Sequence, residues 1–284
     1  MRSTEEMMNL ILQVAQELPQ VRAVALNGSR ANAEAPKDSF QDFDIVYVVT
    51  EKEHLIANQN WLRAFGDVLV EQQPENSVLF PHSLGERYTF LRQFTDGNRL
   101  DLMLCPVSAL AEWWQDNPLM TVLWDPEELL AERPLVDSSV YWVKKPSAAE
   151  FLDSCNEFWW VATYVVKGLC RGELFYASDH LYENCRGELL RLLSWQVGFA
   201  TDFEVSVGKN YKYLARYLPA ETMAKLYQLQ DLTSLTKIWE SLIATEELFS
   251  EVSEALAQGQ GWSTFQSAKG VQDYTIEMRK KFPC

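Results

Sequence analysis

Positive charge is in short supply in this 284-residue chain: 25 Lys and Arg stand against 40 Asp and Glu, a formal net charge of −15. Such a balance repels the phosphate backbone of DNA or RNA unless cations are concentrated in one place. The densest basic spots are only Lys144-Lys145 and Arg279-Lys280-Lys281. Nucleic acid is therefore excluded as a partner, and a cationic small molecule is favoured. Cysteine is also scarce. The five residues Cys105, Cys155, Cys170, Cys185 and Cys284 are an odd number, form no CxxC pair, and have no His at metal-ligand spacing. Histidine is limited to His54, His82 and His180, scattered along the chain, and none is assigned a role. The N-terminus Met1-Arg2-Ser3-Thr4-Glu5-Glu6 lacks the apolar core of a signal peptide. The most apolar helical stretch, 158–166, is too short to span a bilayer and ends at Lys167. A reduced, soluble, cytoplasmic protein with no membrane partner is expected.

Apolar residues, by contrast, are plentiful. They make up 47% of the chain, with 10 Trp, 11 Tyr and 14 Phe, enough to build two real cores. The first half reads as an α/β unit with a mixed sheet. Thr4 is an expected N-cap, followed by Met7, Met8, Leu10, Ile11, Val14 and Leu18 at helical spacing, with Pro19 as the stop. Strands are expected at 21–26 and 43–49. The second is β-branched with almost no polar interruption, as in a central strand covered on both faces. Alternating segments 87–94 and 99–104 flank Asp96-Gly97, a strong hairpin signal, and a weaker last strand is expected at 122–124. From Ser147 the pattern is helical, at about 148–170, 174–198, 219–231, 234–257 and 267–280, with loops at Gly172, Gly208 and Gly259–Gly261. The stretch Pro134 to Pro146 reads as the linker. The expected fold class is thus α+β: an N-terminal domain, 1–134, with a mixed β-sheet flanked by helices, then an all-α C-terminal domain, 135–284. The Trp and Tyr residues concentrated in 141–213 are read mostly as core.

One local pattern carries chemistry. A strand ends in Gly28-Ser29-Arg30, and Asp42-Phe43-Asp44 opens the next strand, with Asp101 in a later strand. Residues two apart on a strand face the same side, so Asp42 and Asp44 stand roughly 6–7 Å apart. If the Asp101 strand is adjacent, three carboxylates converge and repel, which raises their pKa values. A divalent cation relieves that conflict, and oxygen ligands without His or Cys point to Mg²⁺ rather than zinc. Gly28 lets the backbone approach a ligand closely, and Ser29 offers its hydroxyl and N–H to phosphate oxygens. A lone Asp-x-Asp is usually a solvated loop edge. Joined to the Gly-Ser turn and a third strand-borne Asp, it suits an in-line nucleotidyl transfer.

Beyond these residues, the blocks Leu26-Asn27-Gly28-Ser29-Arg30, Phe40-Gln41-Asp42-Phe43-Asp44-Ile45, Lys144-Lys145-Pro146-Ser147, Cys155-Asn156-Glu157-Phe158-Trp159, Val166-Lys167-Gly168-Leu169-Cys170-Arg171, Ala177-Ser178-Asp179-His180 and Ser206-Val207-Gly208-Lys209-Asn210-Tyr211-Lys212 closely resemble the streptomycin (aminoglycoside 6-) adenylyltransferases of the polymerase-β-like nucleotidyltransferase superfamily. The resemblance implies a Mg-ATP-binding nucleotidyltransferase domain and a helical domain that completes the acceptor cleft. It also implies transfer of AMP from ATP to a hydroxyl of streptomycin, the 6-hydroxyl by family, with release of pyrophosphate and antibiotic resistance as the outcome. Asp42 and Asp44 are then metal ligands, and Asp101 is the third ligand or helps deprotonate the acceptor. Gly28, Ser29 and Arg30 grip the phosphates, and Lys209 and Lys212 reach back to the triphosphate. Asp179 is the favoured base, with Glu183 four residues later on the same face and Glu157 as further acceptor-binding candidates. Asp179 could equally serve only as a first-turn residue of its helix. A monomer is expected. Two alternatives remain open: transfer to another antibiotic or acceptor, and a nucleotide-binding protein without catalysis.

Overall fold

The computed structural model describes residues 1–80, 84–117, 119–132 and 136–283, so His82, Pro134 and Cys284 lie outside the described residues. The chain forms two compact units, Met1–Val140 and Tyr141–Cys284.

In the first unit, helix α1 (Thr4–Glu17) precedes β1 (Val21–Leu26), the single turn α2 (Gly28–Ala31), β2 (Phe43–Val49), α3 (Lys52–Ala57), β3 (Val68–Gln72), β4 (Tyr88–Phe94), β5 (Arg99–Pro106), α4 (Leu110–Asp116) and β6 (Thr121–Trp124). The N-cap of α1 is Ser3 rather than Thr4. Its hydroxyl accepts the Glu6 N–H while Glu6 accepts the Ser3 N–H, a reciprocal box that Thr4 could not form because Glu6 sits three residues after Ser3. The six strands run in the order β3-β4-β5-β2-β1-β6. The sheet is mixed: β2 pairs parallel with β5, and the other neighbours are antiparallel.

Alternation along the strands divides the buried side chains between two faces. Val24, Leu26, Phe43, Ile45, Tyr47, Leu100, Leu102 and Leu104 pack with Met7, Ile11 and Val14 of α1. Ala23, Ala25, Val46, Val48 and Cys105 turn the other way, under Leu110 and Trp113 of α4. By the same parity Asp42, Asp44, Arg99 and Asp101 belong to this second face, at the end where β2 and β5 begin. Burying each large apolar side chain stabilises by about 1.5–3 kcal/mol, so the register that sorts these sets between faces is firmly specified.

The β4–β5 turn that presents Arg99 and Asp101 is tied to the N-terminus. Arg2 Nε donates to Asp96 Oδ2 at 2.7 Å, the Arg2 backbone N–H donates to the same oxygen at 3.1 Å, and Arg2 Nη1 reaches the Phe65 carbonyl at 2.6 Å. The two Arg2 bonds to Asp96, with two from Asn98, hold its carboxyl well below the usual carboxylate range.

The second unit contains α5 (Ala148–Cys170), α6 (Leu174–Asp179), α7 (Arg186–Ala200), α8 (Ala220–Gln228), α9 (Leu235–Gln260) and α10 (Ala268–Lys281). Helix α5 starts on a second reciprocal box, Ser147 with Glu150. The predicted helix 174–198 is interrupted: a wider π-type turn, His180–Cys185, joins α6 to α7. Asp179 consequently closes α6 rather than sitting in a first turn. The segment α9 runs past Gly259 and stops at Gly261, whose φ of +66° forms the left-handed cap. Cys155 and Cys185 are buried in this core, and Cys105, Cys155, Cys170 and Cys185 are free thiols. Among the described residues, no helix is long and apolar enough to cross a membrane.

Arg2→Met should cost about 1–2 kcal/mol by urea unfolding, the usual worth of charged hydrogen bonds that are partly buried. The Asp96 pKa is depressed in the fold, so the stabilisation is present above the ordinary carboxylate range and is lost as pH falls below it. The difference from wild type should therefore shrink below about pH 4; a constant difference down to pH 2 would assign it to packing instead.

Candidate active site

Strand pairing brings three of the sequence-predicted residues together. In the parallel register of β2 and β5, Asp44 is the partner of Asp101 and Phe43 that of Leu100. Because β1 runs antiparallel to β2, its last residue, Leu26, pairs with Ile45, so the Asn27-Gly28-Ser29 turn emerges beside the same carboxylates. The turn is fixed by the Asn27 N–H, which donates to the Asp44 carbonyl at 2.8 Å.

Gly28 is required by geometry. Its φ is +66°, and a Cβ there would lie 1.9 Å from Asp44 Oδ2. Any side chain would drive out the carboxylate. Ser29 is held by Gln41, whose Nε2 donates to Ser29 Oγ at 3.2 Å. Arg30 faces the loop rather than open space. Its Nε and Nη2 donate to the carbonyls of Asp42 (2.9 Å) and Gln41 (2.8 Å), and its guanidinium stacks on the Phe43 ring at 3.9 Å. In this arrangement Arg30 fixes the loop that delivers Asp42. Next to the turn, a hollow of about 500 Å³ is lined by Thr4, Met8, Leu26, Arg30, Lys37 and Gln41, among others.

Electrostatics mark the site as strained. Burial pushes the Asp44 carboxyl up to about 6, and the negative charges of Asp101 and Asp42 push in the same direction, against the smaller opposing pull of Arg99 and Arg30. Asp101 is gripped by Arg99, whose Nε and Nη2 donate to its two oxygens at 2.8 Å each. Arg99 Nε also stands 3.8 Å from Asp42 Oδ2. Among the described residues, no three acidic, His or Cys side chains are already drawn around one point as metal ligands. Arg99 stands among these carboxylates, forked on Asp101 and near Asp42. The donor set nevertheless fits a hard divalent cation: all ligand atoms are carboxylate oxygens, and their charges raise the proton affinity of Asp44. The Asn27 Oδ1, buried and without a hydrogen-bond partner, is a further acceptor beside the turn.

The remaining candidates belong to the second unit. Asp179 and Glu183 are exposed, on either side of the start of the π-type turn, so simple α-helical stacking of the two is lost. Glu157 lines a hollow of about 360 Å³ with Glu150, Asp153, Glu188 and Trp195, in which Arg191 pairs with Glu188. Lys209 and Lys212 are exposed, at either end of a short turn after Gly208 (φ +73°), with Lys212 over the Tyr213 ring. Arg99 and Asn27 were not assigned roles in the sequence. A signal for Arg99 existed: it lies two residues before Asp101 on the same strand and therefore shares its face.

A model of the streptomycin adenylyltransferase family matches residues 1–278. An aminoglycoside 6-adenylyltransferase from Bacillus subtilis is 39% identical over 276 residues, covering 97% of each chain. One from Campylobacter jejuni is 36% identical over 282 residues, covering 99% of this chain and 98% of its own. The crystal structure of an aminoglycoside 6-adenyltransferase from Bacillus subtilis aligns with 98% of this chain and 99% of its own, at 36% identity and a TM-score of 0.49.

Two outcomes are expected. Gly28→Ala should abolish turnover, because its Cβ and the Asp44 carboxylate compete for one position; wild-type activity would show that the turn can move aside. Asp44 has its pKa raised by folding, so the metal-free protein loses stability as pH rises from about 4 to about 6. Asp44→Asn should remove that loss and gain roughly 2–3 kcal/mol on wild type between pH 4 and pH 7 in chelator, read from paired thermal melts. An unchanged difference across that range would refute the assignment.

Proposed function

The chain belongs to the streptomycin adenylyltransferase family, and from that membership we propose that it transfers AMP from ATP to the 6-hydroxyl of streptomycin, releasing pyrophosphate and thereby conferring resistance. The observation that carries this reading is the pairing of Asp44 with Asp101 beside a Gly28 that tolerates no side chain.

Each residue has a physical task. The Gly28-Ser29 backbone and the Ser29 hydroxyl hold phosphate oxygens, and Arg30 and Gln41 keep that turn and the Asp42 loop in place. Asp42, Asp44 and Asp101 would hold Mg²⁺, which when bound neutralises the triphosphate and stabilises charge developing on the transferred phosphoryl group. Asp44 is largely ionised at neutral pH, since its pKa of about 6 lies below 7. A sugar hydroxyl is a weak nucleophile and gains from a positioned base, a role proposed for Asp179. Lys209 and Lys212 are proposed to bind the triphosphate as point charges. Glu157 and Glu183 are proposed for the acceptor. The acidic lining around Glu157 supports a guanidinium-bearing substrate, which a chain of net charge −15 also attracts at long range.

The test is incubation with ATP and Mg²⁺ across streptomycin, spectinomycin, kanamycin and lincomycin, read by mass spectrometry. Streptomycin should gain one adenylyl group and the others none, and Asp42→Asn should eliminate the product. Modification of a different drug would overturn the acceptor assignment, and no modification of any would overturn the activity. Asp179→Asn should lower kcat on the order of 10²-fold; an unchanged kcat would remove it as the base.

A further inference from the structure

On the sheet face that carries the carboxylates, four charged side chains stand together: Asp44 on β2 opposite Asp101 on β5, Asp42 in the loop just before β2, and Arg99 at the start of β5. Three are anions and the fourth is a cation. Arg99 spends its planar donor edge on Asp101, with Nε and Nη2 each 2.8 Å from one carboxylate oxygen. The same Nε is 3.8 Å from Asp42 Oδ2. Guanidinium matches carboxylate in this forked geometry, which makes the pair directional as well as attractive. The bond consumes both oxygens that Asp101 could offer to another cation.

Resting on the reading that Asp42, Asp44 and Asp101 hold a divalent cation, we propose that Arg99 is a positioning residue that stands in for that cation, holding Asp101 in register while the site is metal-free and competing with metal for the same two oxygens. Two effects of Arg99 oppose metal. It must release Asp101 before that carboxylate can become a ligand, and its own positive charge lies within reach of Asp42 as well. Both vanish when the guanidinium is removed. A residue that merely props the strand would act in the opposite sense, because its loss would scatter the ligands and weaken metal binding. The direction of the change therefore separates the two roles. Arg99 is also partly exposed, so its hold on Asp101 is screened and can yield to a doubly charged ion.

The experiment titrates Mn²⁺ alone, without nucleotide, into wild type, Arg99→Gln, Arg99→Lys and Asp42→Asn, reading free Mn²⁺ by its paramagnetic resonance signal. Arg99→Gln should bind Mn²⁺ on the order of threefold to tenfold more tightly than wild type. Arg99→Lys, which keeps the charge and loses the fork, should fall between them. Asp42→Asn should bind more weakly. If Asp42→Asn weakens binding while Arg99→Gln binds equally or more weakly than wild type, the stand-in role is overturned and the metal assignment survives. If Asp42→Asn leaves Mn²⁺ affinity unchanged, the metal assignment itself fails and the role of Arg99 falls with it. Should Arg99→Gln not fold, Arg99→Lys decides: tighter binding supports the proposal, and equal or weaker binding overturns it.

Discussion

The parallel pairing of β2 with β5 is the constraint on which the rest depends. Among the described residues it is the one parallel strand pairing, and it sets Asp44 directly against Asp101. Because side chains alternate with period two, a slip of one residue would send an acidic side chain into the apolar layer beneath α1 and bring a leucine to the site. The core therefore enforces the chemistry. Ile45 and Tyr47 on β2, with Leu102 and Leu104 on β5, pack in the layer of α1, and a one-residue slip would exchange them with the smaller set, Val46, Val48 and Cys105, that packs under α4.

Such a placement opposes stability locally. A carboxylate buried beside two others is disfavoured in its charged form, and Asp44 expresses this as a pKa near 6. The fold answers with cations of two kinds. Arg30 binds carbonyls and stacks on Phe43, securing the backbone of the Asp42 loop. Arg99 binds a carboxylate directly. The strain is offset by the large apolar sets on both faces of the sheet and by the Arg2–Asp96 tie at the β4–β5 turn. Local conflict of this sort at a site, set against consistency elsewhere, is the usual signature of function.

Much of this was legible in the sequence where the signal was periodic or chemical. Strands 21–26 and 43–49 and the helix 148–170 match their predicted bounds, because short apolar runs mark the strands and the change to a helical pattern after Ser147 marks the helix. The Gly-Ser turn and the Asp-x-Asp pair were legible as types of residue at a spacing. Their meeting with Asp101 depended on strand order, which local pattern does not encode. The edge strand Val68–Gln72 escaped notice because its residues are mostly exposed, so no burial periodicity marks it. The π-type turn at His180–Cys185 was invisible for a different reason: one extra residue per turn leaves the helical composition unchanged and shifts only the face on which Asp179 and Glu183 project. The role of Arg30 required partners distant in the chain, the carbonyls of 41–42. The Arg99–Asp101 pair was local, two residues apart on one strand, and belonged to no chemical motif that would single it out.

The most direct test of the central claim is anomalous scattering from a crystal grown with Mn²⁺ and a non-hydrolysable ATP analogue. Metal density should lie about 2.1 Å from oxygens of Asp42, Asp44 and Asp101, with the triphosphate against the Gly28-Ser29 turn. Metal bound away from all three carboxylates, or a triphosphate seated elsewhere, would contradict the account.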